Sequence, residues 1–292
     1  MKYQGAVIIA GLCYALLSYF KKLIAPGISI GFLSFSRIAI AAVFLLAVIY
    51  FRRDFKNLFV FRRDVPEFVL LGFLYAAALY VYFLALDYAP LNNVVLLGFL
   101  APLFALMYNR VFFKIGFQTN EIRGMALAAV GAGFVLLDGL TASPGVLYGS
   151  MLAVLFAAIA GLRDVLVKRE EQKYPLIDVL FWPFVFAAIF LSVFSVYEGV
   201  FVSLNSTELI LLAAIGILTG IGFYFYDFSL EFLSPAIASS LTHISLLFFA
   251  LVLGVVFLGE PLTVFAMIGT VVLAASIFVI HPPDSMRVHY SH

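Results

Sequence analysis

Charge is scarce in this chain. Of its 292 residues only 11% are charged, and they sum to a formal +1 at pH 7. That balance is uninformative by itself, whereas the placement of the charges is not; no nucleic-acid partner is expected. There is one cysteine, Cys13, so no disulfide framework exists. The motifs GxxxxGK[ST], HExxH, CxxC and GxSxG are missing, which leaves no visible apparatus for ATP-driven pumping, metal-assisted hydrolysis or acyl transfer. No metal, cofactor or catalytic residue is expected. What fills the chain is apolar: 65% hydrophobic residues and a mean hydropathy of +1.14. Soluble domains run near half apolar and a quarter charged. No soluble core could hide this much apolar surface, so lipid is the solvent.

The apolar residues come in continuous runs rather than the alternation of a membrane β-barrel. Backbone groups in lipid must then be satisfied within helices. Ten runs approach the roughly 20 residues that cross a bilayer: 4–23, 28–51, 66–86, 90–109, 121–140, 145–167, 176–197, 208–229, 234–258 and 262–281. The first run is full length and lacks a convincing cleavage site, so it reads as a span rather than a signal peptide. The segment from Phe51 to Pro66 carries FRRD twice, and reads either as an interfacial stretch or as a solvated loop. With the N-terminus inside, thirteen Lys and Arg fall in inner segments and only Lys21 and Lys22 in outer ones. The positive-inside rule then places both termini, including a tail of 282–292, in the cytoplasm of a multi-pass protein of the cell (plasma or inner) membrane.

The chain repeats. Glu67-Phe-Val-Leu-Leu-Gly matches Glu208-Leu-Ile-Leu-Leu-Ala at the start of the third span of each half, Ala85-Leu86 matches Ser229-Leu230 at its end, and Gly124 matches Gly269 in the fifth. Five spans per half is odd, so the halves enter the membrane from opposite sides. The expected fold is an all-α integral membrane protein of ten transmembrane helices in two inverted five-helix repeats, 1–141 and 142–281. The last two spans hinge at Gly259-Glu260-Pro261-Leu262-Thr263. There Gly ends one helix, Glu caps the next, and Pro takes its first position. A penultimate helix ending in this LGE-x-LT signature, followed by a Gly-bearing last helix, resembles EamA-type transporters of the drug/metabolite transporter superfamily, and is similar to YddG-like amino-acid exporters. The resemblance implies a central cavity enclosed by helices one to four and six to nine, alternating access, and export of amino acids or related small metabolites. The first repeat has Lys114-Ile115 where the second has Gly259-Glu260, which favours a structural role for Glu260.

Polar residues inside spans are costly and point to function. Arg37, in FLSFSRIAIAAVF, keeps its charge and needs an anionic or dipolar partner, either a substrate or another helix. The resemblance implies a basic residue near this point. His243 sits mid-span with Ser239 one turn earlier, and could meet a substrate carboxylate or carry a coupling proton; a neutral histidine bonded to its helix is the alternative. Tyr14, Tyr82, Asn93, Trp182 and Tyr224 complete the substrate-binding candidates. Asn93 could instead cap its helix. Asp227 reads as a wet carboxylate near the cytoplasmic end, and Arg163-Asp164 as a snorkelling pair. Pro183 marks a kink or gate, and Gly220, with Gly216 and Gly222, a face for close helix approach. Asn205-Ser206-Thr207 fits a glycosylation sequon of little weight.

The reading is a secondary transporter of a small molecule, monomeric or a homodimer in the lipid bilayer, with possible proton coupling. Quaternary ammonium ions suit an aromatic cage, although Arg37 would repel them. Nucleotide-sugars or phosphorylated metabolites would want several midplane cations. A polytopic enzyme or receptor would need ionisable residues clustered at one depth or a soluble ligand-binding segment, and the sequence shows neither.

Overall fold

Serine, asparagine and proline mark where helices begin. The computed structural model of the protein describes residues 2–24, 28–52, 64–112, 114, 117–199, 204–260 and 263–280. The central part of the FRRD segment and the tail lie outside these residues. Ser143 accepts a hydrogen bond from the Val146 N–H (3.2 Å) with Pro144 behind it, and Asn205 accepts from the Glu208 N–H (2.8 Å) while Glu208 accepts from the Asn205 N–H (2.9 Å). Such side chains satisfy amides that the first helical turn leaves open. The elements are α1 (Lys2–Leu23), α2 (Ile30–Arg52), α3 (Val65–Tyr88), α4 (Leu91–Gly98), α5 (Ala101–Phe112), α6 (Thr119–Ala142), α7 (Pro144–Glu171), α8 (Leu176–Glu198), α9 (Ser206–Leu230), α10 (Pro235–Val252) and α11 (Val264–Ile280). No strand occurs among the described residues.

Among the described residues nine spans are long and apolar enough to cross a membrane, α4 with α5 counting as one, and α11 is a shorter apolar helix in the place of the tenth. Residues such as Val43, Phe248 and Val271 are largely exposed on the outside of the bundle, where only hydrocarbon would suit them. The protein is an all-α integral membrane protein.

Two spans depart from a plain helix. The fourth breaks at Phe99 and Leu100, because Pro102 has no N–H to give Gly98 and its ring crowds that carbonyl. Leu100 bonds back three residues to Leu97 (3.0 Å) before the ladder restarts. The ninth ends in a π-helical turn, Leu253–Phe257, with Leu258 N–H reaching the Leu253 carbonyl (3.2 Å). Pro183 does not interrupt α8, which runs through it unbroken.

The packing shows the inverted repeat. α1 lies on α9 as α7 lies on α3; α1 on α10 as α7 on α4 and α5; α2 on α9 as α8 on α3. The pairs α2–α8 and α6–α11 are their own images. Glycines fix the register. A Cβ on Gly72 would strike Phe186 and come within 3.1 Å of the Pro183 carbonyl; on Gly216 it would strike Ile40 and come within 3.2 Å of the Arg37 carbonyl. Gly124 meets Ile280 and the Ser276 carbonyl, and Gly269 meets Val135 and the Gly131 carbonyl. The equivalence of Gly124 and Gly269 read from the sequence thus holds, whereas the equivalent of Gly72 is Gly216, not Ala213. One helical turn separates those two alignments, and apolar helices look alike after a shift of three residues.

The hinge also differs from its sequence reading. α11 starts at Val264, where Thr263 accepts from the Ala266 N–H (3.1 Å). Pro261 lies outside the described residues. Glu260 caps a helix in the other half: its carboxylate accepts from the Leu91 N–H (2.8 Å) and the Asn92 N–H (3.1 Å) at the start of α4. A negative charge suits that positive helix end as well as it would its own.

Candidate functional site

A cavity of about 60 Å³ sits in the middle of the bundle. Its walls come from α1, α2, α3, α4, α7, α9 and α10; α6 and α11 stay outside, and α8 contributes no lining side chain. The lining is apolar and aromatic, with Leu17, Leu79, Phe156 and Phe223 around a few polar groups. Four of the sequence candidates, Tyr14, Arg37, Tyr82 and His243, meet there.

Arg37 is only 3% exposed. Its Nε donates to Thr219 Oγ1 (2.7 Å), which passes its own proton to the Ile215 carbonyl (2.7 Å). The guanidinium lies 4.9 Å from the centroid of the Phe83 ring. It forms no ion pair among the described residues, and its Nη1 is buried without a hydrogen-bond partner. A permanent charge so enclosed is expensive unless something anionic or dipolar meets it.

His243 bonds through Nδ1 to the carbonyl of Ser239 (2.8 Å), one turn back. A carbonyl can only accept, so Nδ1 carries the proton and Nε2 is the acceptor. Ser239 does not line the cavity; it is a fully buried support for the imidazole. The imidazole meets Phe99 edge-on at 6.1 Å. Both residues sit at the ninth position of their span, counting from the first residues of α4 and α10, so they are equivalents meeting on the symmetry axis.

On the α1–α3 side, Ser18 gives its single proton to the Tyr14 carbonyl (2.6 Å), so Tyr82 donates to Ser18 Oγ (2.7 Å). The hydroxyls of Tyr14 and Thr242 are buried without partners. Together with Arg37 Nη1 they make three open polar atoms on cavity-lining residues.

The sequence reading missed Arg163. Far from snorkelling to an interface, it is buried and lines the cavity. Its guanidinium bonds Asp164 Oδ1, from Nε at 3.0 Å and through Nη2, and stands over the rings of Phe223 (5.0 Å), Tyr75 (5.1 Å) and Tyr226 (5.8 Å). Asp164 also accepts from the Tyr226 hydroxyl (2.5 Å). Asp227 is likewise no wet carboxylate: it is 1% exposed and accepts from the Tyr75 hydroxyl (3.3 Å). The available signal was the arginine itself inside an apolar run, yet its depth depends on how far α7 runs beyond the membrane, and α7, with 28 residues, is the longest helix among the described residues.

The other candidates lie elsewhere. Asn93 does not line the cavity; its amide donates to Asp138 (3.0 Å), tying α4 to α6. Trp182 packs beside Phe181 and Phe186 on α8, and Tyr224 beside Phe225. Gly220 receives Phe44 of α2, a close-packing role as read. At the predicted outer end Glu198 repeats what Glu260 does, accepting from the Gly31 N–H (2.7 Å) and the Tyr80 hydroxyl (2.6 Å). Two acids from the second half thus cap α2 and α4 of the first.

Ten spans in an inverted repeat around a central, mainly apolar cavity with a few polar groups have the architecture of a membrane transporter. The model of the EamA-like transporter family matches residues 1–137 and 147–281, and the chain belongs to that family. A solved crystal structure shares the fold, with a TM-score of 0.72 at 20% identity over 99% of each chain. No curated protein matches.

Proposed function

We propose that this transporter exports an amino acid or a related small metabolite by alternating access, with Arg37 holding the substrate's carboxylate. The observation that carries this reading is the buried guanidinium of Arg37, unpaired among the described residues and open at Nη1. Tyr14, Thr242 and the Nε2 acceptor of His243 supply hydrogen bonds, and the aromatic lining takes an apolar side chain. The repeats are residues 1–141 and 142–281, and pairs of spans rock around the cavity, opening one gate as the other closes. Both termini face the cytoplasm of the cell membrane, as the distribution of Lys and Arg requires.

A cavity of about 60 Å³ is far below the ~300 Å³ at which small-molecule sites begin. This conformation is therefore a closed one, and loading needs the halves to part. The competing substrates fit less well. An aromatic cage for quaternary ammonium is already occupied, since Arg163 stands over three of the rings. A nucleotide-sugar would want two free cations, but Arg163 is neutralised by Asp164.

The test is a thermal-shift screen of purified protein against amino acids, quaternary amines and nucleotide-sugars, because ligands that bind the folded state raise its melting point. Apolar and aromatic amino acids are expected to shift it. Arg37→Ala should abolish the shift, and flux in proteoliposomes, while the variant remains folded; an unchanged response would displace the site from Arg37.

A further inference from the structure

One buried acid has no use in the binding scheme. Asp227, near the end of α9, does not line the cavity and is 1% exposed. Among the described residues its Oδ2 receives only the neutral hydroxyl of Tyr75, at 3.3 Å, and its Oδ1 has no hydrogen-bond partner. The nearby cation is already committed: Arg163 spends its Nε and Nη2 on Asp164. Two carboxylates therefore share one guanidinium away from water, and the one with poorer contacts is Asp227. An ionised carboxylate so placed would cost several kcal/mol of desolvation, with little returned by a single long hydrogen bond.

The titratable and charged groups around Asp227 come from every side. α7 presents Arg163, Asp164 and, seven residues beyond Asp164, Glu171; α3 presents Tyr75, α1 Tyr14, and α9 itself Tyr226. On α10 the nearest titratable group, His243, faces Asp164 and Arg163. Among the described residues Glu171 has no hydrogen-bond partner at either carboxylate oxygen; the charged groups acting on it include Lys168 of α7, whose ammonium bonds the Leu230 carbonyl. Glu171 lies at the C-terminal end of α7, the end predicted to be cytoplasmic, and Glu231 is exposed just past the last residue of α9 at the same end. Acids thus run from beside the cavity, through Asp227 and Glu171, to the surface.

We propose that Asp227 is the proton-binding site that couples this transporter to a pH gradient, with Glu171 relaying the proton to the cytoplasmic end. The coupling rests on the transport reading above; the proton on Asp227 does not. In the closed, empty state Asp227 holds a proton. When the cavity opens to the cytoplasm the proton leaves by way of Glu171 and substrate enters; the loaded cavity then turns outward, and once substrate has gone Asp227 takes a proton from outside before the empty cavity closes. Substrate leaving the cell is exchanged for a proton entering, so charge moves with each cycle and no other reactant is required.

Two measurements test this. In pH-difference infrared spectra of the purified protein at neutral pH, a protonated-carboxyl band is expected in the wild type, lost in Asp227→Asn and shifted in Asp227→Glu. Identical spectra for the three overturn the proposal, and the Asp227→Glu shift decides it should the Asn variant not fold. In proteoliposomes with phenylalanine as probe and no membrane potential, a lumen one pH unit more acid than the bath should sustain about a tenfold accumulation inside for one proton exchanged. Asp227→Asn should keep gradient-free exchange and lose the accumulation. If it still accumulates the probe, Asp227 is not the coupling site. Absence of phenylalanine flux in the wild type would count against the amino-acid reading alone, with the infrared band still deciding the proton on Asp227.

Discussion

Tyr82 and Tyr226 do the same thing in opposite halves with different chemistry. Tyr82 on α3 donates to Ser18 on α1, 64 residues away; Tyr226 on α9 donates to Asp164 on α7, 62 residues away. Each bond ties the first span of its half to the third. In the first half the acceptor is a neutral hydroxyl. In the second it is a carboxylate that also carries the buried Arg163. The same contrast recurs wherever equivalent places can be compared: Arg37 lies where the other half has Pro183, and Phe99 where the other has His243. The lesson is that backbone packing is duplicated while ionic chemistry is not. On the proposed mechanism, symmetry provides two gates from one design, whereas a single substrate needs only one set of charges.

Truncating the two acceptors would break the comparison most sharply. Asp164→Ala leaves the Arg163 charge buried and unpaired, and is expected to cost about 3–5 kcal/mol. Ser18→Ala removes one neutral hydrogen bond and strands the Tyr82 hydroxyl, for about 1–3 kcal/mol. Thermal unfolding of both variants in detergent measures the gap; equal losses would mean that Arg163 draws little from Asp164.

The glycines test the shared backbone instead. Gly72→Ala and Gly216→Ala each push a methyl into the facing helix, and each is expected to cost about 1–3 kcal/mol. The two melting points should fall together. A large drop in one alone would show that the α3–α8 and α9–α2 contacts are not equivalent.

The smallest effects belong to the connections. Glu260→Gln weakens a charged cap on α4 and should cost about 0.5–2 kcal/mol. One residue earlier, Gly259 has a left-handed φ of 66°, and its counterpart Lys114, which is exposed, has a left-handed φ of 52°. Lys114→Gly should leave stability unchanged or raise it by up to about 1 kcal/mol, since glycine adopts that conformation without strain. A loss on that substitution would reveal a tie that the left-handed lysine makes.

Ten apolar runs, their caps and the doubling of the pattern were open to inspection in the sequence, because hydropathy and helix-start chemistry act over neighbouring residues. Arg37, His243, Tyr14 and Tyr82 could be picked out one at a time on the same local ground, as charged or polar groups inside apolar runs. Asn93 and Trp182 satisfied that criterion equally, yet neither lines the cavity: Asn93 finds Asp138 on α6, and Trp182 packs along its own helix, α8. Arg163, Asp164 and Asp227 failed it because a charge near a helix end looks wet until the length and tilt of its neighbours are known.

By itself, then, the sequence determined that lipid is the solvent, that helices cross it ten times, and that the second half inverts the first. Those conclusions follow from composition and from local periodicity. Tertiary structure alone decided which polar groups share the cavity, that Glu260 caps a helix 169 residues back in the chain, and that one arginine serves two buried acids. The reason is physical. The cost of burying a charge depends on what other spans bring to the same depth, and that is settled by helix rotation and register, which a run of apolar residues leaves free.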